Sequence, residues 1–208
     1  MPVITDLNIS GTRIVCWQIT ESADILTGSL PENIQKEAVK YTHIGRREEF
    51  AASRLCLQHA GFKDPIYKDT WGKPFINNAH IGITHTDGFA AVIISKTMCV
   101  AIDAEQPDVR LLRTAPRFLN NYESEYCGND IEKIALIWCC KECIYKLYGH
   151  GYSDFKQSLE VKETDDGNFE GKIQGKDIVI LRRLNLSGEN MPVIVWCSQA
   201  PENIAIQD

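Results

Sequence analysis

Apolar residues in this chain fall into short runs and spaced stripes, each bounded by turn-forming residues. Residues 12–20 hold Ile14, Val15, Cys16, Trp17 and Ile19 in close succession and read as a strand. After Pro31, the residues Ile34, Ala38, Val39 and Tyr41 recur at helical spacing. A stronger helix is expected over residues 46–60, with Phe50, Arg54 and Leu57 to one side and Gly61 ending it. Residues 67–71 lead into Gly72-Lys73-Pro74, a turn or tight extended segment. Three strand-like runs follow at 80–86, 89–95 and 98–105, broken by Asp87-Gly88 and Lys96-Thr97, and predict an antiparallel meander.

Helical segments at 111–118 and 122–127 then precede a long helix over 130–148 that Gly149 caps. The chain turns at 151–154, and further strands are expected at 158–163, 178–184 and 193–198. Helices and strands, then helices, then strands again is the order of an α+β protein. Each half pairs a long helix with a three-strand run, which divides the chain into residues 1–104 and 105–208 without sequence self-similarity between them.

Composition narrows the class. At 208 residues, 44% hydrophobic and 24% charged, the chain has the make-up of a globular protein with a real core. The longest clean apolar stretch, residues 90–95, falls far short of the roughly 20 residues of a membrane helix. Residues 1–10 show no basic stretch followed by an apolar one, so a cytoplasmic, reducing location is expected. The eight cysteines are then expected as free thiols; Cys16, Cys56, Cys99 and Cys197 sit inside apolar runs, where a thiol packs as a small hydrophobe. The net charge of −6 argues against nucleic acid as a partner. Local basic clusters at Arg46–Arg47, at Arg110, Arg113 and Arg117, and at Arg182–Arg183 still suit an anionic partner.

Four segments carry candidate chemistry. In residues 100–105, strand alternation puts Asp103 and Glu105 on one face, opposite Ile102 and Ala104. At two residues' spacing the carboxylates stand about 6–7 Å apart and repel by roughly 2–3 kcal/mol. A hard cation such as magnesium would reverse that sign; a solvated strand end is the plain alternative. Trp138, Glu142 and Lys146 recur every four residues on one helix face. They suit an i,i+4 ion pair beside a half-buried tryptophan, or a third metal ligand or base with a lysine reaching a phosphate.

His85 lies near the end of its strand just before the Asp87-Gly88 turn, either as a hydrogen-bonded structural residue or as a donor to phosphate. Gly72-Lys73-Pro74 alone describes many turns. Cys139, Cys140 and Cys143 include a Cys-x-x-Cys pair, but no second pair lies at ligand spacing and the segment reads as helix interior.

In order and spacing these pieces resemble the 4'-phosphopantetheinyl transferase superfamily, specifically its longer, surfactin-synthetase-activating type. The matching segments are Gly72-Lys73-Pro74, Ile83-Thr84-His85-Thr86, residues 100–105, Arg117-Phe118-Leu119 with Glu123, and residues 138–146. The resemblance covers roughly residues 43–155. It implies two similar α+β halves in a pseudo-twofold arrangement with coenzyme A in the cleft between them. Asp103, Glu105 and Glu142 would hold magnesium against the diphosphate. His85 and Lys146 would contact phosphates, and Lys73 with Pro74 would border the adenine and 3'-phosphate end. Arg46 or Arg47 would meet the nucleotide, and Glu123 would lie near the reacting hydroxyl. Ala101 and Ala104 stand where the family has glycine and a β-branched residue, and Thr84 and Thr86 replace serines. His150 stands where Gly-Lys-Gly is usual, which weakens a phosphate contact.

The activity implied is magnesium-dependent transfer of phosphopantetheine from coenzyme A to a serine of an acyl or peptidyl carrier protein, by a monomer, with Glu142 as base. Arg110, Arg113 and Arg117 are spaced to share a helix face, either as a stripe that docks an acidic carrier or as a solvated basic face. Two rivals remain: a non-catalytic coenzyme A-binding regulatory protein with the same pocket, and a magnesium-dependent nucleotide hydrolase. The second would need a phosphate loop, and no Gly-x-x-x-x-Gly-Lys-Ser/Thr occurs here.

Overall fold

The computed structural model describes residues 3–63, 65–70, 72–148, 154–173 and 176–201. The His150 substitution lies outside them. The class is mixed α+β, with two antiparallel sheets. The first sheet holds β1 (Val3–Ile9), β2 (Thr12–Gln18), β3 (Tyr67–Lys68), β4 (Pro74–Ile76), β5 (Ala79–Thr86) and β6 (Phe89–Ser95) in the order β1-β2-β6-β5-β4-β3. Helices α1 (Ala23–Gly28), α2 (Glu32–Ala38) and α3 (Ile44–His59) lie between β2 and β3 in the chain.

The second sheet takes β7 (Cys99–Glu105), β8 (Leu159–Glu163), β9 (Phe169–Ile173), β10 (Val179–Arg183) and β11 (Val193–Gln199) in the order β7-β11-β10-β9-β8. Between β7 and β8 run α4 (Arg110–Thr114), a 3-10 turn (Ala115–Arg117), α5 (Asn121–Cys127), α6 (Ile131–Tyr148) and α7 (Phe155–Ser158). Among the described residues no helix is long and apolar enough to cross a membrane.

The expected meander is only half present. β5 and β6 form the hairpin across Asp87-Gly88, with Thr86 opposite Phe89. β7 does not extend it: it pairs with β11 along its whole length, from Cys99 opposite Gln199 to Glu105 opposite Val193. The reason is valence. β6 is already bonded to β2 on one side and β5 on the other, so it has no free edge to offer. The chain therefore changes sheets before Cys99, and the expected division at residue 104 falls within β7.

Alternation along the strands builds four layers. Val15 and Trp17 of β2, with Ala90, Val92 and Ile94 of β6, pack against α3. Their neighbours Ile14, Cys16, Phe89, Ala91 and Ile93 face the other way, onto Val100, Ile102 and Ala104 of β7 and Ile194 and Trp196 of β11. The opposite face of the second sheet, with Cys99, Ala101, Val195 and Cys197, packs under α6. The order is α3, first sheet, second sheet, α6. All eight cysteines are free and buried in these layers, as expected for thiols used as small hydrophobes.

β5 and β7 lie side by side where the sheets meet, and Gly82 sets their spacing. A Cβ there would come within 2.8 Å of Ile93 Cγ2 and 3.3 Å of the Ile102 nitrogen. Lys141, on α6, ties the second half together. It has no exposed side-chain surface, pairs with Glu123 at 2.7 Å, and donates to the carbonyls of Phe118 (2.7 Å), Phe155 (3.0 Å) and Leu159 (3.0 Å).

Replacing Lys141 with methionine leaves the Glu123 charge buried without its cation. Denaturant unfolding is expected to show a loss of about 3–5 kcal/mol, the cost of removing one member of a buried pair.

Candidate active site

Asp103 and Glu105 continue the row of Cys99 and Ala101, so strand alternation turns both toward α6. Asp103 is 6% exposed. Its Oδ1 accepts from Lys146 Nζ at 2.6 Å and from the Thr84 hydroxyl at 3.2 Å. Lys146 also donates to the Ile102 carbonyl at 3.1 Å. The other oxygen, Asp103 Oδ2, is buried and has no hydrogen-bond partner among the described residues. Cys139 lies beside Asp103 on α6, with its sulfur 3.6 Å from the Val193 carbonyl.

Glu142 projects from the same α6 face as Lys146, half-buried. Burial pushes its carboxyl up to about 7, with the Asp103 and Glu105 charges adding to the rise and Lys146 opposing it. Glu105 is raised for the same reasons, burial first and Asp103 next. Burial alone would lower the Lys146 ammonium, but the Asp103 charge and hydrogen bond outweigh it and hold it above its ordinary value. The three carboxylates thus feel one another across the β7–α6 seam. They do not form a ready-made shell: among the described residues no three His, Cys, Asp or Glu side chains are gathered as a metal would need.

Two adjoining cavities run beside this cluster and share Gly72, Pro74 and Ile83 in their walls. The smaller, about 230 Å³, is bordered by Lys73, Ile81, Val100, Tyr145 and Lys146. The larger, about 490 Å³, is bordered by Arg46, Arg54, Lys68 and His85, four basic side chains with no carboxylate among its lining residues. His85 Nδ1 stands 3.1 Å from Glu49 Oε2, and Arg46 reaches the same oxygen at 2.9 Å. Burial would raise the Glu49 carboxyl, but His85 and Arg46 outweigh it and hold it below its usual range. With Nδ1 donating to Glu49, the His85 Nε2 remains for a ligand.

The two neighbouring arginines separate clearly. Arg46 lines the larger cavity, while Arg47 spends its guanidinium on the Tyr41 carbonyl at 3.0 and 3.2 Å. Lys73 lines the smaller cavity and donates to the Leu147 carbonyl at the end of α6, 2.8 Å away. Glu123 is not in the site. It is fully buried, takes Lys141 and the Asn120 nitrogen on Oε2, and accepts from the Val161 nitrogen on Oε1. It is the reciprocal cap of α5, and its oxygens are committed to that work. Arg110, Arg113 and Arg117 are exposed, but α4 ends at Thr114, so Arg117 sits on the following 3-10 turn instead of the same helix.

Three site residues escaped the sequence reading. Arg54 and Lys68 line the larger cavity, and Thr84 joins β5 to Asp103. Arg54 had a visible signal, since it shares the α3 face of Phe50, over whose ring it now lies at 4.3 Å.

The raised Glu142 carboxyl makes a pH-dependent stability difference. Below about pH 4.5 the folded and unfolded chains both hold this proton, and no penalty exists. Between there and about 7 the unfolded chain releases it first, so the carboxylate destabilises the fold increasingly as pH rises. Without divalent ions, Glu142→Gln is expected to be more stable than the parent by about 1–3 kcal/mol at pH 8. The two should converge near pH 4.5, as read by urea midpoints across pH.

The description "4'-phosphopantetheinyl transferase superfamily" belongs to the family model that matches residues 99–193. No curated protein matches the chain. The matched span begins at β7 and takes in Asp103, Glu105, Glu142 and Lys146; it leaves out Arg46, Arg47, Lys73, Pro74 and His85. Over its C-terminal half, from the strand that changes sheets onward, this chain is similar to phosphopantetheinyl transferases.

Proposed function

We propose that this chain transfers the 4'-phosphopantetheine arm of coenzyme A to a serine hydroxyl of an apo acyl or peptidyl carrier protein, releasing 3',5'-adenosine bisphosphate. The observation that carries the reading is a set of three acids with one buried carboxylate oxygen lacking a described partner, tied by Lys146 to a cavity that adjoins a basic cleft. In this reading the halves are pseudo-twofold partners, each a sheet under one long helix, with the cleft between them.

The chemistry of the donor set suits magnesium, although the three carboxylates are not gathered into a shell. Asp103, Glu105 and Glu142 offer hard oxygens, Asp103 Oδ2 lacks a partner among the described residues, and the Glu142 carboxyl is raised first by burial and then by charges that a cation would offset. When bound, the ion would neutralise diphosphate charge and favour displacement at phosphorus. The chain supplies the rest. Arg46 and His85, from α3 and β5, meet the nucleotide phosphates, while Lys73 and Pro74 border the base end. Lys146 leaves Asp103 for a phosphate oxygen of the substrate. Glu142, directly or through water, accepts the serine proton at its carboxylate.

Carrier docking falls to the exposed arginines after β7. Arg110 and Arg113 flank Val109 and Leu112, whose apolar side chains are also open to solvent, so charge and apolar area lie together.

Two measurements test the reading. With coenzyme A, magnesium and a panel of apo carriers, mass spectrometry should show one phosphopantetheine added to a carrier serine. Asp103→Ala should cut labelling about 100-fold or more while the protein stays folded. Binding of coenzyme A without transfer to any carrier would favour the regulatory reading instead. Reversing the charge of Arg110, Arg113 and Arg117 together should raise the carrier KM about tenfold at low salt and less at high salt. An unchanged KM at low salt removes the docking assignment.

A further inference from the structure

The Thr84 hydroxyl has a fixed orientation. It accepts a hydrogen bond from the Ala104 nitrogen at 3.0 Å, which occupies its acceptor side. Its one hydrogen is then left for Asp103 Oδ1, 3.2 Å away. Thr84 is 3% exposed, so water does not compete for either bond. The hydroxyl is thus a joint between β5 and β7, in a place where Gly82 lets the strands approach closely. Lys146 holds the same Oδ1 from the other side. Both partners of Asp103 are on one oxygen, and the second, Oδ2, is buried and bare.

A buried carboxylate oxygen without a partner is costly, and a carboxylate free to turn would share its bonds between both oxygens. We infer that Thr84 is a positioning residue: it pins Asp103 through Oδ1 so that Oδ2 alone is presented to a divalent cation. The inference rests on the proposed reading of Asp103 as a metal ligand and adds to it a monodentate mode and the residue that enforces it. Its effect is specific to metal, because the Thr84 hydroxyl spends its hydrogen on Asp103 and leaves none for a nucleotide phosphate.

The test uses the full chain and manganese as the probe, with binding read by electron paramagnetic resonance without coenzyme A. Thr84→Val should weaken manganese binding about 10–100-fold, the usual effect of losing an outer hydrogen bond to a ligand. At saturating metal its coenzyme A KM should stay within about twofold of the parent, and Thr84→Ser should restore metal affinity. Thermal melts without metal establish that each variant is folded; if the valine variant is not, Thr84→Ala carries the same comparison. Parent-like manganese affinity in a folded Thr84→Val or Thr84→Ala overturns the inference and leaves the metal reading standing. A raised coenzyme A KM with unchanged metal affinity also overturns it, making Thr84 a nucleotide contact. A parent protein that binds no manganese overturns the metal reading and this inference together.

Discussion

Charge repulsion across the seam between β7 and α6 governs how this site is built. Asp103 and Glu105 leave the strand on the side of α6, and Glu142 leaves the helix beside them, so that burial and like charge lift the Glu142 carboxyl to about 7. The fold tolerates this because the seam is anchored on both sides by apolar layers, with α6 packed on the second sheet and the second sheet packed on the first. Lys146 supplies the compensation at 2.6 Å from Asp103, on one oxygen only. The cluster is therefore neutralised only in part. Such local instability is a familiar property of sites that must bind charge.

The cleft beside the seam carries the opposite sign. Arg46, Arg54, Lys68 and His85 come from α3, β3 and β5, all belonging to the first sheet and its helices, while the acids come from β7 and α6. The two signs of charge thus come from different sheets and their helices.

Much of this was legible in the sequence because faces are local. Alternation gives Asp103 and Glu105 a common face, and four-residue spacing gives Glu142 and Lys146 one, without knowledge of the fold. Partners are not local. That β7 abandons β6 for β11, 94 residues on in the Ile102–Trp196 pair, follows from β6 being saturated on both edges. β1 was missed because none of its residues is fully buried, so its alternation is blurred by exposure. β9 was missed because the residue between Phe169 and Ile173 on its inner face is Gly171, where a side chain would strike Leu181 and Ile144. The glycine that breaks the hydrophobic pattern is there to allow the packing.

Lys141 and Lys146 show the same limit on one helix. Spacing from Glu142 singles out Lys146 in the sequence, whereas Lys141 reads there only as a polar position without a role. In space Lys141 is closed off by Glu123 and three carbonyls drawn from Phe118, Phe155 and Leu159, so its donors are satisfied and its charge is cancelled. Lys146 keeps 32% of its side chain exposed and bonds one carboxylate oxygen and one carbonyl. A cation that is fully enclosed cannot exchange partners without unfolding its surroundings, whereas one at the edge of a cleft can trade a carboxylate for a phosphate at little cost. Degree of satisfaction, more than residue type, therefore separates the lysine that holds the scaffold from the lysine that serves the site.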